Sequence, residues 1–220
     1  MSESSSGDGD LESLVGVLPA PTLRDWRALA PIVPSFAYLS GGTGLTAHLR
    51  HRVSRDLDFF TETAFDADAL VGLLASAGAF APTLVEAGTV NGIFNDTKVQ
   101  FLDAHAQHLL AATSEFGGVR LASLDDVIAT KLKVIQDRGA LRDYFDLMVL
   151  DSRIPMEEGL NLLVRKYRPA APAGLIANVV RGLGYLGDVE DDPSLPASRA
   201  TIESFWAARQ PALLRAIAAL

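Results

Sequence analysis

One stretch, residues 39–60, constrains the fold more than any other part of the chain. It reads LSGGTGLTAHLRHRVSRDLDFF, which predicts a short buried strand, a glycine turn, a short helix and a second strand. Because side chains alternate between the two faces of a strand, Asp56 and Asp58 are predicted to share a face. Two carboxylates near a glycine turn can hold a divalent metal against the phosphates of a nucleotide. Nucleotidyl transfer is therefore the leading hypothesis for this segment.

The glycine turn itself strengthens this hypothesis. Gly41 and Gly42 would let backbone N–H groups approach a phosphate closely, and the N-terminus of the following helix favours an anion. Thr43 could donate its hydroxyl to the same phosphate, or could simply cap the helix. Arg52 could contact phosphate, or could pair with one of the two aspartates.

A second group of candidate residues lies in the C-terminal half. Lys131 is predicted on a helix that begins at Ser123, and Asp143 and Asp146 lie three residues apart on the next helix, where they share a face. Lys131 could neutralise a triphosphate, and Asp146, or alternatively Asp143, could act as a metal ligand or general base. A surface network of ion pairs would use the same residues, so this spacing alone does not establish a site.

Composition and charge limit the class of protein. The chain has 220 residues, of which 49% are hydrophobic, and no cysteine, which excludes disulfides and thiolate sites and fits a cytoplasmic protein. No segment reaches the roughly 18 apolar residues of a membrane span. The net charge of −8 argues against a nucleic-acid partner. However, the acids near the N-terminus and in residues 188–192 together account for the whole net charge. The rest of the chain is neutral overall and contains basic clusters such as Arg165, Lys166 and Arg168.

A change of pattern near residue 123 divides the chain. We expect a disordered acidic tail over residues 1–12, an α/β lobe over 13–122 and a helical lobe over 123–220 that completes the active site across a cleft. The predicted fold class is α+β, with a small mixed sheet flanked by helices. Within it, residues 83–94 and 98–102 are predicted as two β-like runs joined by a hairpin turn at Asn95-Asp96.

Together the two groups resemble the AbiEii/AbiGii toxin family of nucleotidyltransferases, in the DNA polymerase β-like superfamily. The first motif of that family is Gly-Gly-Ser/Thr, a spacer and Arg-x-Ser-x-Asp-x-Asp. It is matched by Gly41-Gly42-Thr43 and by the run from Arg52 through Ser54 and Asp56 to Asp58. The later motifs of the family resemble Lys131 and Arg142-Asp143-x-x-Asp146. The resemblance spans residues 36–150.

The resemblance implies a polymerase β-like core that uses one or two Mg²⁺ ions, held by Asp56 and Asp58, and a nucleoside triphosphate. It implies that Lys131 and Asp146 are catalytic together with those aspartates. The residues that it assigns to nucleotide or phosphate binding are Gly41, Gly42, Thr43, Arg52, Ser54, Arg142 and Asp143. The third acid is assigned to Asp146, because the family keeps an acid at that position, whereas the run 99–102 offers none. Asp143 and Asp103 are left open, and Asp103, which has the parity of Phe101, could face the site or simply cap the strand. The implied acceptor is RNA, with tRNA as the first candidate, and the implied partner is an antitoxin.

Two alternatives remain open. The acidic stretch Asp188–Asp192 would suit a cationic small-molecule acceptor, as in the antibiotic-modifying relatives of the superfamily. The other alternative is a non-catalytic relative that binds a nucleotide or a partner protein without turnover.

Overall fold

The computed structural model describes residues 4–218, which form two compact units. One unit ends at Gln107 and resumes over Ala112–Ser123, and the other comprises His108–Ala111 and the chain from Leu124 onward. The change of pattern near residue 123 thus coincides with a boundary between units. Residues 108–111, however, belong to the second unit and not to the first.

The first unit is a mixed sheet with helices. In chain order its elements are α1 (Ser4–Glu12), α2 (Ala20–Leu29), β1 (Ala37–Leu39), α3 (Gly41–Leu49), β2 (Leu57–Thr61), α4 (Ala67–Ala77), β3 (Phe80–Glu86), β4 (Thr89–Phe94), β5 (Thr97–Asp103), β6 (Ser114–Phe116) and β7 (Val119–Leu121). Across the described residues the sheet has seven strands in the order β3-β4-β5-β2-β1-β7-β6. Strand β2 pairs in parallel with β5 and antiparallel with β1. The predicted α+β class is confirmed.

One face of this sheet carries the core of the first unit. On β2 and β5 the rings of Phe59 and Phe101 stack at 4.8 Å, and both side chains are buried. Trp26 of α2 and Leu74 of α4 belong to the same apolar cluster. Burying side chains of this size stabilises a fold by about 1.5–3 kcal/mol each. Because strands alternate, the residue between Leu57 and Phe59, which is Asp58, faces the other side of the sheet.

The N-terminal segment differs from the prediction of a disordered tail over residues 1–12. Residues 1–3 lie outside the described part of the chain, but Ser4–Glu12 form helix α1. Leu11 is buried, and the Asp10 carboxylate accepts a hydrogen bond from Gly117 N at 3.0 Å. The composition of the segment is that of a disordered chain, but its last residues have specific partners in the sheet region, and these stabilise the helix.

The hairpin region contains one more strand than predicted. The turn at Asn95-Asp96 joins β4 to β5 as expected, with Asn95 at a positive φ of 50°. The predicted run over residues 83–94, in contrast, is divided into β3 and β4 by a turn at Ala87-Gly88. A glycine at the centre of a β-like run was the signal for this turn.

The second unit is helical. Its elements are α5 (Leu124–Arg138), α6 (Leu141–Leu150), α7 (Met156–Tyr167), α8 (Pro172–Leu183) and α9 (Arg199–Ala218). Leu132, Leu163 and Val179 are completely buried, and so is Trp206, whose indole N–H donates to Tyr144 O at 3.2 Å. Among the helices of residues 4–218, none is both long and apolar enough to cross a membrane.

Candidate functional site

The glycine turn places the Asp58 carboxylate against the first residue of α3. Gly41 has a φ of +63°, and a Cβ built on it would lie 2.3 Å from Asp58 Oδ2. A side chain at this position would therefore be strained in its backbone and would also displace the carboxylate. The backbone of Asp58 is fixed as well, because Ser40 N donates to Asp58 O at 2.9 Å.

The next two residues of the turn hold the segment that leads into β2. A Cβ on Gly42 would lie 2.7 Å from Arg52 Nη2 and 3.1 Å from Ser54 Oγ. Thr43 is completely buried, and its hydroxyl donates to Asp56 O at 2.5 Å and shares a hydrogen bond with Ser54 Oγ at 2.8 Å. Thr43 and Ser54 thus position the aspartate segment. The predicted bond from Thr43 to a phosphate would require its hydroxyl to give up Asp56 O.

The start of α3 offers an anion-binding environment beside Asp58. Helix α3 spans nine residues, and its N-cap, Ser40, makes no side-chain capping bond. The first turn contains no acidic residue either. The backbone N–H groups of that turn and the positive end of the helix dipole therefore favour a phosphate there.

A row of polar side chains crosses the sheet face that carries Asp58. In the parallel pairing of β2 with β5, Asp58 lies opposite Gln100, and in the antiparallel pairing of β5 with β4, Gln100 lies opposite Asn91. Residues that are paired across strands point to the same face. Within the described chain, Asn91 Oδ1 is buried and has no hydrogen-bond partner. Sequence reasoning missed Gln100 and Asn91 because only the strand register brings them beside Asp58.

Asp103, one of the three candidates for the third acid, is not on this face. It has the parity of Phe101, which is completely buried in the core on the opposite side of the sheet. Its Oδ1 accepts from His105 N at 2.8 Å and from His105 Nδ1 at 2.7 Å. Burial alone would raise the pKa of Asp103, but these hydrogen bonds outweigh it and lower the pKa. The inference from parity that Asp103 could face the site is therefore wrong.

The second unit brings three of the predicted residues together. Lys131 Nζ lies 2.6 Å from Asp143 Oδ1 and 2.8 Å from Asp146 Oδ2. The side chains are 8%, 11% and 0% exposed, respectively, so this is a buried ion-pair cluster and not the surface network that the spacing left open. Asp143 Oδ2 also accepts from Ala140 N at 3.0 Å, which fixes the start of α6. Arg142, in contrast, is exposed and pairs with no carboxylate among residues 4–218.

The donor set of Asp56 and Asp58 fits a magnesium ion. Magnesium in phosphoryl-transfer sites takes one or two carboxylates and completes its shell with water and phosphate oxygens. Both aspartates are partly exposed. The Asp58 carboxylate lies against the uncapped start of α3, and the backbone oxygen of Asp56 accepts from Thr43 of that helix. Within the described residues, no three His, Asp or Glu side chains converge into a group that could hold a metal by themselves.

Comparisons with known proteins agree with this geometry at the level of the fold. No family model matches the sequence. An uncharacterised protein of Aquifex aeolicus is 26% identical over 161 residues, which cover 70% of this chain and 76% of that protein.

Three solved structures are similar over nearly their whole length. A provisionally assigned nucleotidyltransferase from Helicobacter pylori has a TM-score of 0.55 and 20% identity, covering 99% of this chain and 97% of that one. JHP933 from Helicobacter pylori has a TM-score of 0.52 and 19% identity, covering 99% and 94%. MenT4, a nucleotidyltransferase toxin from Mycobacterium tuberculosis, has a TM-score of 0.56 and 17% identity, covering 96% and 88%. The chain therefore has the fold of these three proteins, two of which are named as nucleotidyltransferases.

Proposed function

We propose that this protein is a Mg²⁺-dependent nucleotidyltransferase that moves a nucleoside monophosphate from a nucleoside triphosphate to an RNA acceptor, with tRNA as the first candidate. The observation that carries the proposal is that Asp58 Oδ2 occupies the space in front of Gly41, at the uncapped start of α3, where a Cβ would lie 2.3 Å away. It combines a carboxylate for a metal with backbone donors for a phosphate in one place.

The residues of the first unit would bind and orient the nucleotide. Gly41 and Gly42 let Asp58 and Arg52 lie against the start of α3, and Arg52, whose guanidinium lies against Gly42, would contact a phosphate oxygen there. Thr43 and Ser54 hold the segment that carries Asp56 and Asp58. A magnesium ion held by these aspartates would neutralise charge that develops on the phosphates.

In the transfer itself, a hydroxyl oxygen of the acceptor forms a bond to the α-phosphorus, and the bond between the α-phosphorus and the bridging oxygen to the β-phosphate breaks. Pyrophosphate leaves, and the hydroxyl proton passes to a carboxylate base. We propose Asp146 as this base or as a second metal ligand, and Lys131 as a counter-charge to the triphosphate. Lys131 already contacts two carboxylates, so it would have to exchange part of one ion pair for phosphate.

We further propose that the enzyme acts in the cytoplasm as the toxin of a toxin–antitoxin pair. The motif resemblance and the similarity in fold to MenT4 support this role. The absence of cysteine fits a reducing compartment. Co-expression with the product of a neighbouring gene, followed by growth measurements, tests the role. Growth inhibition that the neighbour relieves is expected, and normal growth without the neighbour would contradict it.

The biochemical proposal is tested by incubating the protein with Mg²⁺, total cellular RNA and each α-labelled nucleoside triphosphate in turn. We expect label on RNA, with a preference for tRNA. Label on a small molecule instead would support an antibiotic-modifying type of acceptor. Nucleotide binding without product, across RNA and cationic small acceptors, would support the non-catalytic alternative.

A further inference from the structure

A pocket in the second unit has a wall that carries positive charge and no negative charge. Its volume is about 470 Å³, and its wall includes Arg165, Arg168 and His108. The rest of the wall is apolar, formed by Leu109, Leu110, Val164, Pro169 and Pro172. A volume of this size lies within the roughly 300–1,000 Å³ of small-ligand sites and can take one nucleotide unit.

Neither arginine of the pocket is paired with a carboxylate of residues 4–218, and both are exposed. A guanidinium remains charged at all physiological pH values and presents a planar fork of donors that matches a phosphate. The chain as a whole carries a net charge of −8, so an anionic polymer needs a local cationic surface to bind. Two unpaired arginines in one pocket supply such a surface.

The walls of the pocket are fixed by a buried ion pair. Lys166, between the two arginines, donates to Asp126 Oδ1 at 2.7 Å and to His108 O at 3.3 Å. Asp126 also accepts from Leu110 N at 3.1 Å. The side chains of Lys166 and Asp126 are only 2% and 1% exposed, respectively. The end of α7 and the segment over residues 108–111 are thus joined below the pocket surface, which fixes the backbone positions from which the two arginines extend.

The start of α8 adds to the positive field of the pocket. Pro172 is the first residue of this helix and lies in the pocket wall. Its N-cap, Ala171, has no polar side chain, and the first turn contains no acid. The arginines also lie at the C-terminal end of α7, where the helix dipole favours a cation by about 0.3–1 kcal/mol. That effect explains a cation at this position, but it does not explain why the wall of the pocket contains no carboxylate.

We propose that this pocket binds a phosphodiester of the RNA acceptor, with Arg165 and Arg168 on the phosphate and the apolar wall against the ribose or base. The proposal deepens the proposed function, because the first unit already supplies a site for the triphosphate and the acceptor needs one of its own. Single-stranded RNA suits the pocket because its phosphates and unstacked bases are both accessible.

The test compares two double variants of the full chain that change the net charge equally. Arg165→Gln/Arg168→Gln removes the pocket charge, and Arg153→Gln/Arg181→Gln removes two exposed arginines of the same unit that do not line the pocket. Circular dichroism melts confirm that both variants are folded. Binding to fluorescein-labelled unfractionated tRNA, and to a short labelled single-stranded RNA, is measured by anisotropy over a range of KCl concentrations.

We expect the pocket variant to bind both RNAs about tenfold more weakly than wild type. Its plot of log affinity against log salt should lose about 0.7 from its slope, because the two arginines contact one phosphate and each single-strand phosphate contact contributes about 0.7. The control variant should behave as wild type in both measurements. Equal losses in the two variants, or no loss in either, would overturn the proposal.

Two further readouts separate this proposal from the proposed function. If the pocket variant loses affinity for a free nucleoside triphosphate and keeps its affinity for RNA, the pocket is a nucleotide site and the RNA proposal is wrong. If wild type transfers no label to RNA and the pocket variant still loses RNA affinity, the proposed function fails and the RNA site stands. If wild type transfers label and the pocket variant does so with an unchanged KM for RNA, the RNA site fails and the function stands.

Discussion

Replacing Gly41 with alanine should reduce nucleotidyl transfer far more than it reduces stability. The new Cβ would lie 2.3 Å from Asp58 Oδ2, whereas 3.4 Å is an ordinary van der Waals distance. The carboxylate oxygen must therefore move by about 1 Å, and a displacement of that size at a reacting centre costs roughly 100-fold in rate. The backbone at φ +63° adds a destabilisation of about 1–2 kcal/mol for a residue with a Cβ.

Gly16→Ala is the matched control for this variant. Gly16 also has a positive φ, +94°, but a Cβ there would meet nothing within 4 Å. Both variants should therefore lose stability in urea unfolding, and only Gly41→Ala should lose single-turnover transfer of label from an α-labelled triphosphate. Equal transfer rates for the two variants, with Gly41→Ala folded, would refute the argument that the Asp58 carboxylate works from this position.

Three further predictions concern the neighbouring residues. Lys131→Met should lower the free energy of unfolding by about 3–5 kcal/mol, because it leaves carboxylates buried without their lysine. The control Lys133→Met breaks an exposed i,i+4 pair worth only about 0.3–0.5 kcal/mol. Equal losses for the two variants in urea unfolding would contradict the buried cluster. Asp103→Asn should keep the wild-type rate of label transfer, because this residue faces the core side of the sheet. A large loss of rate would instead indicate that Asp103 is the third acid. Burial raises the pKa of Tyr144 to about 12, so the protein should lose stability as pH rises from about 10, where an unfolded tyrosine ionises, to about 12. Tyr144→Phe should flatten that loss in unfolding experiments across the same pH range, and an unchanged slope would show that another group causes it.

The glycine turn was predictable because its information is local: Gly41 and Gly42 mark a turn before a helix. Period-two alternation predicts a shared face for Asp56 and Asp58, but Asp56 precedes β2, so their shared face stays a prediction. The cluster of Lys131, Asp143 and Asp146 was partly predictable in the same way. Helical spacing puts the two acids on one face, but only tertiary packing shows that they are buried around the lysine.

The errors arose where distant segments meet. The parity of Asp103 with Phe101 was read correctly, but the face to which Phe101 points depends on the pairing of β5 with β2. The position of Gln100 opposite Asp58 could not be predicted either, because it depends on the same pairing. The N-terminal helix has the composition of a disordered segment, and its order depends on contacts such as that between Asp10 and Gly117, over 100 residues away in sequence.

The basic run of Arg165, Lys166 and Arg168 shows a further limit of sequence reasoning. The three cations are indistinguishable in a charge pattern, yet Lys166 is buried against Asp126 while the two arginines line the pocket. The three residues differ because the end of α7 turns Lys166 toward the buried side of the helix and leaves the two arginines exposed. A charge cluster in a sequence therefore indicates a candidate surface, and the structure decides which of its members a ligand can reach.

The variant Asp58→Asn tests most directly whether the Asp58 carboxylate is essential to nucleotidyl transfer. The substitution preserves the shape of the side chain but removes the charge that would hold magnesium. Asp68→Asn, which changes an exposed aspartate in the first turn of α4, is the matched control. The measurement is the initial rate of label transfer from an α-labelled nucleoside triphosphate to RNA. We predict that Asp58→Asn abolishes transfer while its unfolding curve resembles that of wild type and Asp68→Asn stays active. Wild-type rates for a folded Asp58→Asn protein would show that the Asp58 carboxylate is not essential.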